Sequence, residues 1–313
     1  MGQNSIPSDN APDLSVQLGP LHLKNPVMVA SGTFGYGAEF EDFLPLEKLG
    51  AVVVKGISLK PRAGNPPPRI VETPAGLINA IGLENVGLEV FLKEKLPFLR
   101  SKGATVIPNV AGHSEEENCA LCEALSHTDG VAAVELNVSC PNVKEGGMAF
   151  GRSLPVFAKL VENVRKVTKG VLIVKLSPNV TDIAEFALAA EDLGADAVSA
   201  MNTFLGMKID IKRKKPYFTN RVAGLSGPAI RPMAVRAVYE IYSKVKIPII
   251  GLGGIATVED ALEFFMAGAT AVSIGTMNLV EPQSAINIIE GIENFLRREN
   301  INDIRDIIGA AHR

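Results

Sequence analysis

Short apolar runs recur along the chain, separated by segments in which apolar residues return with a helical period. The runs predict strands near Pro26–Ser31, Ala51–Ile57, Thr105–Val110, Ala132–Val138, Leu172–Leu176, Ala197–Met201, Pro248–Gly251 and Ala271–Ile274. Each is nearly all apolar, as expected of parallel strands covered on the outside by helices. The intervening segments carry helix signals. "SEEENCALCEALSH" opens on Ser114 with Glu117 three residues on, a capping-box spacing. "SLPVFAKLVENVRKVTKG" starts at Ser153, has Pro155 in its first turn and ends at Gly170. "TDIAEFALAAEDLGA" and "TVEDALEFFMAGA" begin at Thr or Asp and close at Gly. "GPAIRPMAVRAVYEIYSKV" and "SAINIIEGIENFLRREN" predict two more long helices.

Strands alternating with helices suit a (β/α)8 barrel or a doubly wound sheet. The strand count of eight favours the barrel. So do the glycine-rich turns, "GLGGI" after the seventh strand and "IGTMN" at the eighth, where barrels bind phosphate. "SGTFGYG" after the first strand lacks the G-x-G-x-x-G spacing of a dinucleotide fold. The expected organisation is a polar, flexible tail over residues 1–14 and one barrel domain over 15–313. Two excursions, Lys60–Asn85 and Phe204–Ser226, follow strand C-termini and should build the active face.

Polar residues at the strand C-termini define the candidate chemistry. They are Ser31, Lys55, Asn109, Asn137 with Cys140, Lys175, Asn202 with Thr203, Gly253-Gly254 and Gly275-Thr276, joined by Asn79 from the first excursion. Glu135 points the same way as Asn137 but deeper. No paired carboxylates for glycoside chemistry sit at these ends, and four scattered histidines give no zinc spacing. Neutral amides suit a planar heterocycle with alternating donors and acceptors, such as a flavin or a pyrimidine. The glycine turns offer backbone N–H groups to a phosphate. A lysine here can hold phosphate, form a Schiff base or stabilise charge on a cofactor. The candidate base is the thiol of Cys140, with a free pKa of about 8.5. It directly precedes "PNVKEGGMAFG", whose glycines at 146, 147 and 151 suit a lid.

Bulk properties narrow the field. The 313 residues are 47% hydrophobic with a net charge of −3, so neither nucleic acid nor an anionic membrane is an expected partner. Three cysteines make no disulfide framework, and a cytoplasmic location is expected. The first dozen residues lack the apolar core of a signal peptide. Cys119-x-x-Cys122 falls on the apolar stripe of a predicted helix, which favours packing over a redox or metal pair. The basic run "KIDIKRKKPYF" reads as a solvated rim, with steering of an anionic substrate as an extra role.

Taken together in order, "NAIGLEN", "ELNVSCPN" followed by "GGMAFG", "SAMNTFLGMKID", "GLSGPAIRP", "GLGGI" and "SIGTMN" resemble dihydroorotate dehydrogenase. More narrowly the chain resembles the class 1B catalytic subunit. The likeness spans nearly all of the chain after the N-terminal tail. It implies FMN on this chain. It also implies an electron-transfer partner carrying FAD and a 2Fe–2S cluster, two copies of each chain, and electrons passed to NAD. By the same resemblance Cys140 takes the C5 proton of dihydroorotate while a hydride leaves C6 for flavin N5. Lys55, Asn79, Ala80, Ile81, Gly82, Leu83, Asn137, Asn202 and Thr203 would bind substrate. Ser31, Lys55, Gly56, Asn109, Asn137, Lys175, Met201, Gly227, Gly253, Gly254, Gly275 and Thr276 would bind the flavin. Met201 stands where a branched aliphatic is expected, and Ser58 where Thr is commoner.

Other readings stay open at this point. They are a class 1A enzyme using fumarate, a barrel like that of dihydropyrimidine dehydrogenase, a flavin-free lyase or isomerase with Lys175 as Schiff-base former, and a non-catalytic scaffold. A membrane-bound class 2 enzyme would carry a serine base and an N-terminal membrane extension.

Overall fold

The computed structural model describes residues 11–139 and 150–313. Its strands in chain order are β1 (Val16–Leu18), β2 (Leu21–Leu23), β3 (Val27–Val29), β4 (Ala51–Ile57), β5 (Ile70–Thr73), β6 (Gly76–Asn79), β7 (Val106–Val110), β8 (Val134–Asn137), β9 (Leu172–Lys175), β10 (Ala197–Ala200), β11 (Phe204–Gly206), β12 (Ile209–Asp210), β13 (Lys215–Pro216), β14 (Ala223–Ser226), β15 (Ile249–Gly251) and β16 (Ala271–Ile274). All eight apolar runs become strands of one closed parallel barrel, in the order β3-β4-β7-β8-β9-β10-β15-β16 and back to β3. Val, Ile and Ala dominate because each strand is covered on both faces, inside by the barrel core and outside by helices.

The helices are α1 (Gly87–Val90), α2 (Leu96–Ser101), α3 (Glu115–Ser126), α4 (Leu154–Val167), α5 (Ile183–Asp192), α6 (Arg231–Tyr242), α7 (Val258–Ala267) and α8 (Ser284–Arg298). The last six match the sequence signals. Ser114 caps α3 by accepting from Glu117 N at 3.1 Å. The reciprocal half of the expected box is missing: the Glu117 carboxylate instead accepts from His113 N at 2.8 Å and Leu59 N at 3.0 Å. A complete capping box forms at Thr257 and Asp260 on α7. The pair α1 and α2 carried no usable signal. A π-turn over Phe91–Lys95 and Pro97 break its period. After β3 the chain makes only short 3-10 turns where a barrel helix is usual.

Two additions frame the barrel. At the N-terminal end β1 and β2 form a hairpin that buries Val16, Leu18 and Leu23. Gly19 in its turn lies against Asp196, just before β10, and Asp13 bonds to the 302–304 segment. At the other end the two excursions meet. They join as a four-stranded antiparallel sheet, β11-β14-β6-β5, with its own small core of Ile78, Phe218 and Ala223. The basic run folds as the exposed β12–β13 hairpin beside that sheet.

The turn after β15 is tied down by Asp260. Its carboxylate accepts from Ala256 N at 2.8 Å and Thr257 N at 3.0 Å, and it pairs with Arg231 at the start of α6. Asp260→Ala removes a cap and leaves these donors unanswered. It should lower stability by about 2–3 kcal/mol, seen as a lower urea midpoint with an unchanged slope.

Candidate active site

The register of the barrel explains which side chains meet. Asn109 of β7 lies opposite Glu135 of β8, Asn137 lies opposite Lys175 of β9, and Lys175 lies opposite Ser199 of β10. Side chains alternate along a strand, so Glu135 and Asn137 share the interior side, one layer apart.

These residues form a connected polar layer. Glu135 is buried. One carboxylate oxygen accepts from Asn109 Nδ2 at 2.6 Å, and the other from Ser199 Oγ at 2.6 Å. The buried Lys175 ammonium sits 3.6 Å from Glu135 Oε1 and donates to Ser31 Oγ at 3.3 Å. A carboxylate can only accept, so Asn109 must turn its NH2 toward Glu135. Its Oδ1 then faces Asn137 Nδ2 at 3.4 Å. Asn137 Oδ1 in turn accepts from Asn202 Nδ2 at 3.2 Å and Ser139 N at 3.1 Å. Asn202 Oδ1 accepts from Thr203 N at 2.8 Å. One buried acid thus sets the polarity of a row of amides reaching the mouth.

Lys55 owes its position to a bulge. Val54 pairs with Pro108 and Ile57 with Val110, so Lys55 and Gly56 hold one residue more than the facing strand. Lys55 Nζ lies 3.7 Å from Glu84, which also takes Arg69 NH1 at 2.5 Å. Arg69 further donates to Ala63 O at 2.9 Å and Asn65 O at 2.5 Å. This clamp folds the first excursion over the end of β4. Asn65 holds Ala80 O at 2.8 Å through its side chain and Ile81 O at 2.9 Å through its backbone. Gly82 and Leu83 follow with left-handed φ of 77° and 55°. A Cβ on Gly56 would lie 3.8 Å from Leu83 Cδ2 and 3.1 Å from Asn109 Oδ1. Asn79 on β6 donates to Gly224 O at 3.2 Å, and a Cβ on Gly224 would strike Thr203 Oγ1 at 2.5 Å. The mouth sheet therefore brings Asn79 beside Thr203. Met201 is buried directly before Asn202.

The glycine turns converge separately. A Cβ on Gly254 would lie 2.8 Å from Gly227 O, and Thr276 Oγ1 bonds Ser226 Oγ at 2.9 Å. Gly253 and Gly254 hold φ of 133° and 82°, and space is open around Gly275. Among the described residues, the backbone N–H groups of Gly253, Gly254, Gly275 and Thr276 donate to no protein acceptor. Free N–H groups on these turns, with no side chain admitted at Gly253 or Gly254, fit an anionic phosphate. The buried lysine and the amide row fit a planar ring that carries carbonyls. The donor set thus fits a phosphate-bearing flavin, whose phosphate would meet Gly227, Gly253, Gly254, Gly275 and Thr276. Ser31, Gly56, Asn109, Asn137, Lys175 and Met201 would line its ring.

Cys140 and most of the glycine-rich stretch after it lie outside the described residues. The other two thiols do not compete as bases. Burial pushes Cys122 strongly up, and burial followed by the neighbouring Glu115 carboxylate raises Cys119. Both sit on α3 with the helix packed on the barrel, in keeping with a packing role. Among the described residues no three His, Cys, Asp or Glu side chains are grouped to hold a metal ion. No helix among them is long and apolar enough to cross a membrane.

Sequence reasoning noted Glu135 but gave it no task, and missed Ser199, Glu84 and Arg69. Ser199 lies in an apolar run and the other two in a loop, so only the fold reveals their partners. Gly254→Ala puts a Cβ against Gly227 O on a left-handed backbone. It should weaken uptake of flavin mononucleotide at least tenfold in a fluorescence titration.

Comparison with known proteins identifies the family. A family model described as dihydroorotate dehydrogenase matches residues 13–296. A chain from Geotalea uraniireducens named dihydroorotate dehydrogenase B (NAD(+)), catalytic subunit, is 53% identical over 299 residues, covering 96% of this chain and 98% of its own. One of the same name from Trichlorobacter lovleyi is 54% identical with the same coverage. A chain from Aquifex aeolicus, provisionally named dihydroorotate dehydrogenase A (fumarate), is 53% identical over 96% of this chain and 99% of its own. Matched by the family model over residues 13–296 and sharing about half its residues with these relatives across nearly its whole length, this chain belongs to the dihydroorotate dehydrogenase family.

Proposed function

We propose that this chain is the catalytic subunit of an NAD-linked dihydroorotate dehydrogenase, oxidising dihydroorotate to orotate in pyrimidine synthesis. The observation that carries the reading is its near full-length identity to chains named as that subunit, joined to a mouth built of amides and two lysines. A flavin mononucleotide bound at this face supplies the acceptor for the hydride that leaves C6. Cys140 takes the proton from C5, so the substrate gives up one proton and one hydride. Asn79, Asn137, Asn202 and Thr203 grip the alternating carbonyl and N–H edge of the pyrimidine. Ala80, Ile81, Gly82 and Leu83 cover it from the first excursion. Lys55, half-buried, offers a cation to the anionic substrate.

Electrons then leave through a separate subunit. Relatives named as catalytic subunits imply such a partner. We assign it an FAD, a 2Fe–2S cluster and a two-plus-two assembly, and we assign the complex to the cytoplasm. The Aquifex aeolicus relative favours a second reading, in which the chain alone reduces fumarate.

Steady-state orotate formation separates the two. The isolated chain should turn over dihydroorotate with an artificial dye and react poorly with NAD or fumarate. Rapid fumarate reduction would favour the second reading, and rapid NAD reduction by the chain alone would remove the partner. Cys140→Ser should cut turnover by at least a hundredfold while flavin stays bound.

A further inference from the structure

The buried Glu135–Lys175 pair has an unequal build. Both carboxylate oxygens of Glu135 are committed to neutral donors at 2.6 Å, Asn109 Nδ2 and Ser199 Oγ. The carboxylate is therefore locked on two sides. Lys175 is held differently. Its ammonium lies 3.6 Å from Glu135, beyond ordinary hydrogen-bond distance, and its contact with Ser31 Oγ is long at 3.3 Å. An ammonium has three protons. Lys175 thus sits in the field of the Glu135 carboxylate and, among the described residues, keeps protons that no acceptor takes, in a buried place that faces the ring end of the site.

We propose that Glu135 is a positioning residue that acts through Lys175. It sets the net charge presented to the bound flavin and so holds down the flavin's reduction potential. The inference rests on the flavin reading above. A reduced flavin carries more negative charge than an oxidised one. A lone buried lysine would favour the reduced form strongly, and a fixed carboxylate beside it moderates that preference. Solvent does not screen the pair, since both side chains are almost fully buried.

The test is the midpoint potential of the bound flavin, read during slow reduction against a reference dye without dihydroorotate. Glu135→Gln keeps the shape and can still accept from Asn109, but removes the charge. It should shift the reduced-to-oxidised equilibrium at least tenfold toward reduced, about 30 mV positive for a two-electron couple. Glu135→Asp keeps the charge and should stay within about threefold of the parent, under 15 mV. An unchanged potential in the Gln variant, or equal shifts in both variants, would overturn the proposal and leave Glu135 a packing residue. Should the Gln variant fail to fold or to hold flavin, Ser199→Ala decides. Losing the hydroxyl leaves the carboxylate charge less offset, so the potential should fall, and no fall overturns the proposal. A parent chain that takes up no flavin defeats the flavin reading itself, a result distinct from an unshifted potential.

Discussion

Closure of the parallel barrel is the constraint on which everything else depends. Val272 of the last strand pairs with Val27 of the first, and Ala30 N reaches Ile274 O at 2.8 Å. Once the ring is closed, all eight strands end at one mouth and the register decides which side chains share a layer. The pairings of Asn109 with Glu135, Asn137 with Lys175 and Lys175 with Ser199 follow from that register. A slip of one residue would turn Glu135 and Lys175 outward among the helices. The apolar core around these strands is what makes the slip prohibitive, and it is also what makes a buried charge pair persist.

The polar mouth is then organised from the inside out. An acid that can only accept forces Asn109, and through it Asn137 and Asn202, to present donors and acceptors in a fixed order. A recognition surface of amides is ambiguous in itself, because each amide can flip. Here the ambiguity is removed at depth. The insertions complete the surface from above, with the Arg69–Glu84–Lys55 clamp holding one side and the β6–β14 pairing bringing Asn79 to Thr203 on the other.

Much of this was legible in the sequence because fully buried strands write long apolar runs, and polar residues at their ends stand out. Lys55, Asn109, Asn137 and Lys175 were visible for that reason. The bulge at Lys55 was not, since it depends on how β4 and β7 pair. The mouth sheet was not, since its strands are three or four residues long and come from insertions far apart in the chain. Helices α1 and α2 were hidden by Gly87, the π-turn and Pro97. Glu135 was seen as a position but not as a hub, because its partners sit on three other strands. The electron acceptor is a different matter: relatives about equally similar to this chain bear names specifying NAD or fumarate.

The most direct test of the central claim is a single anaerobic mixing experiment. The purified chain, loaded with flavin mononucleotide, is mixed with one equivalent of dihydroorotate while the visible spectrum and orotate absorbance are followed together. The account predicts that the flavin bands bleach within the first seconds and that one orotate appears for each flavin reduced. A loaded chain whose flavin stays oxidised in excess dihydroorotate would contradict it.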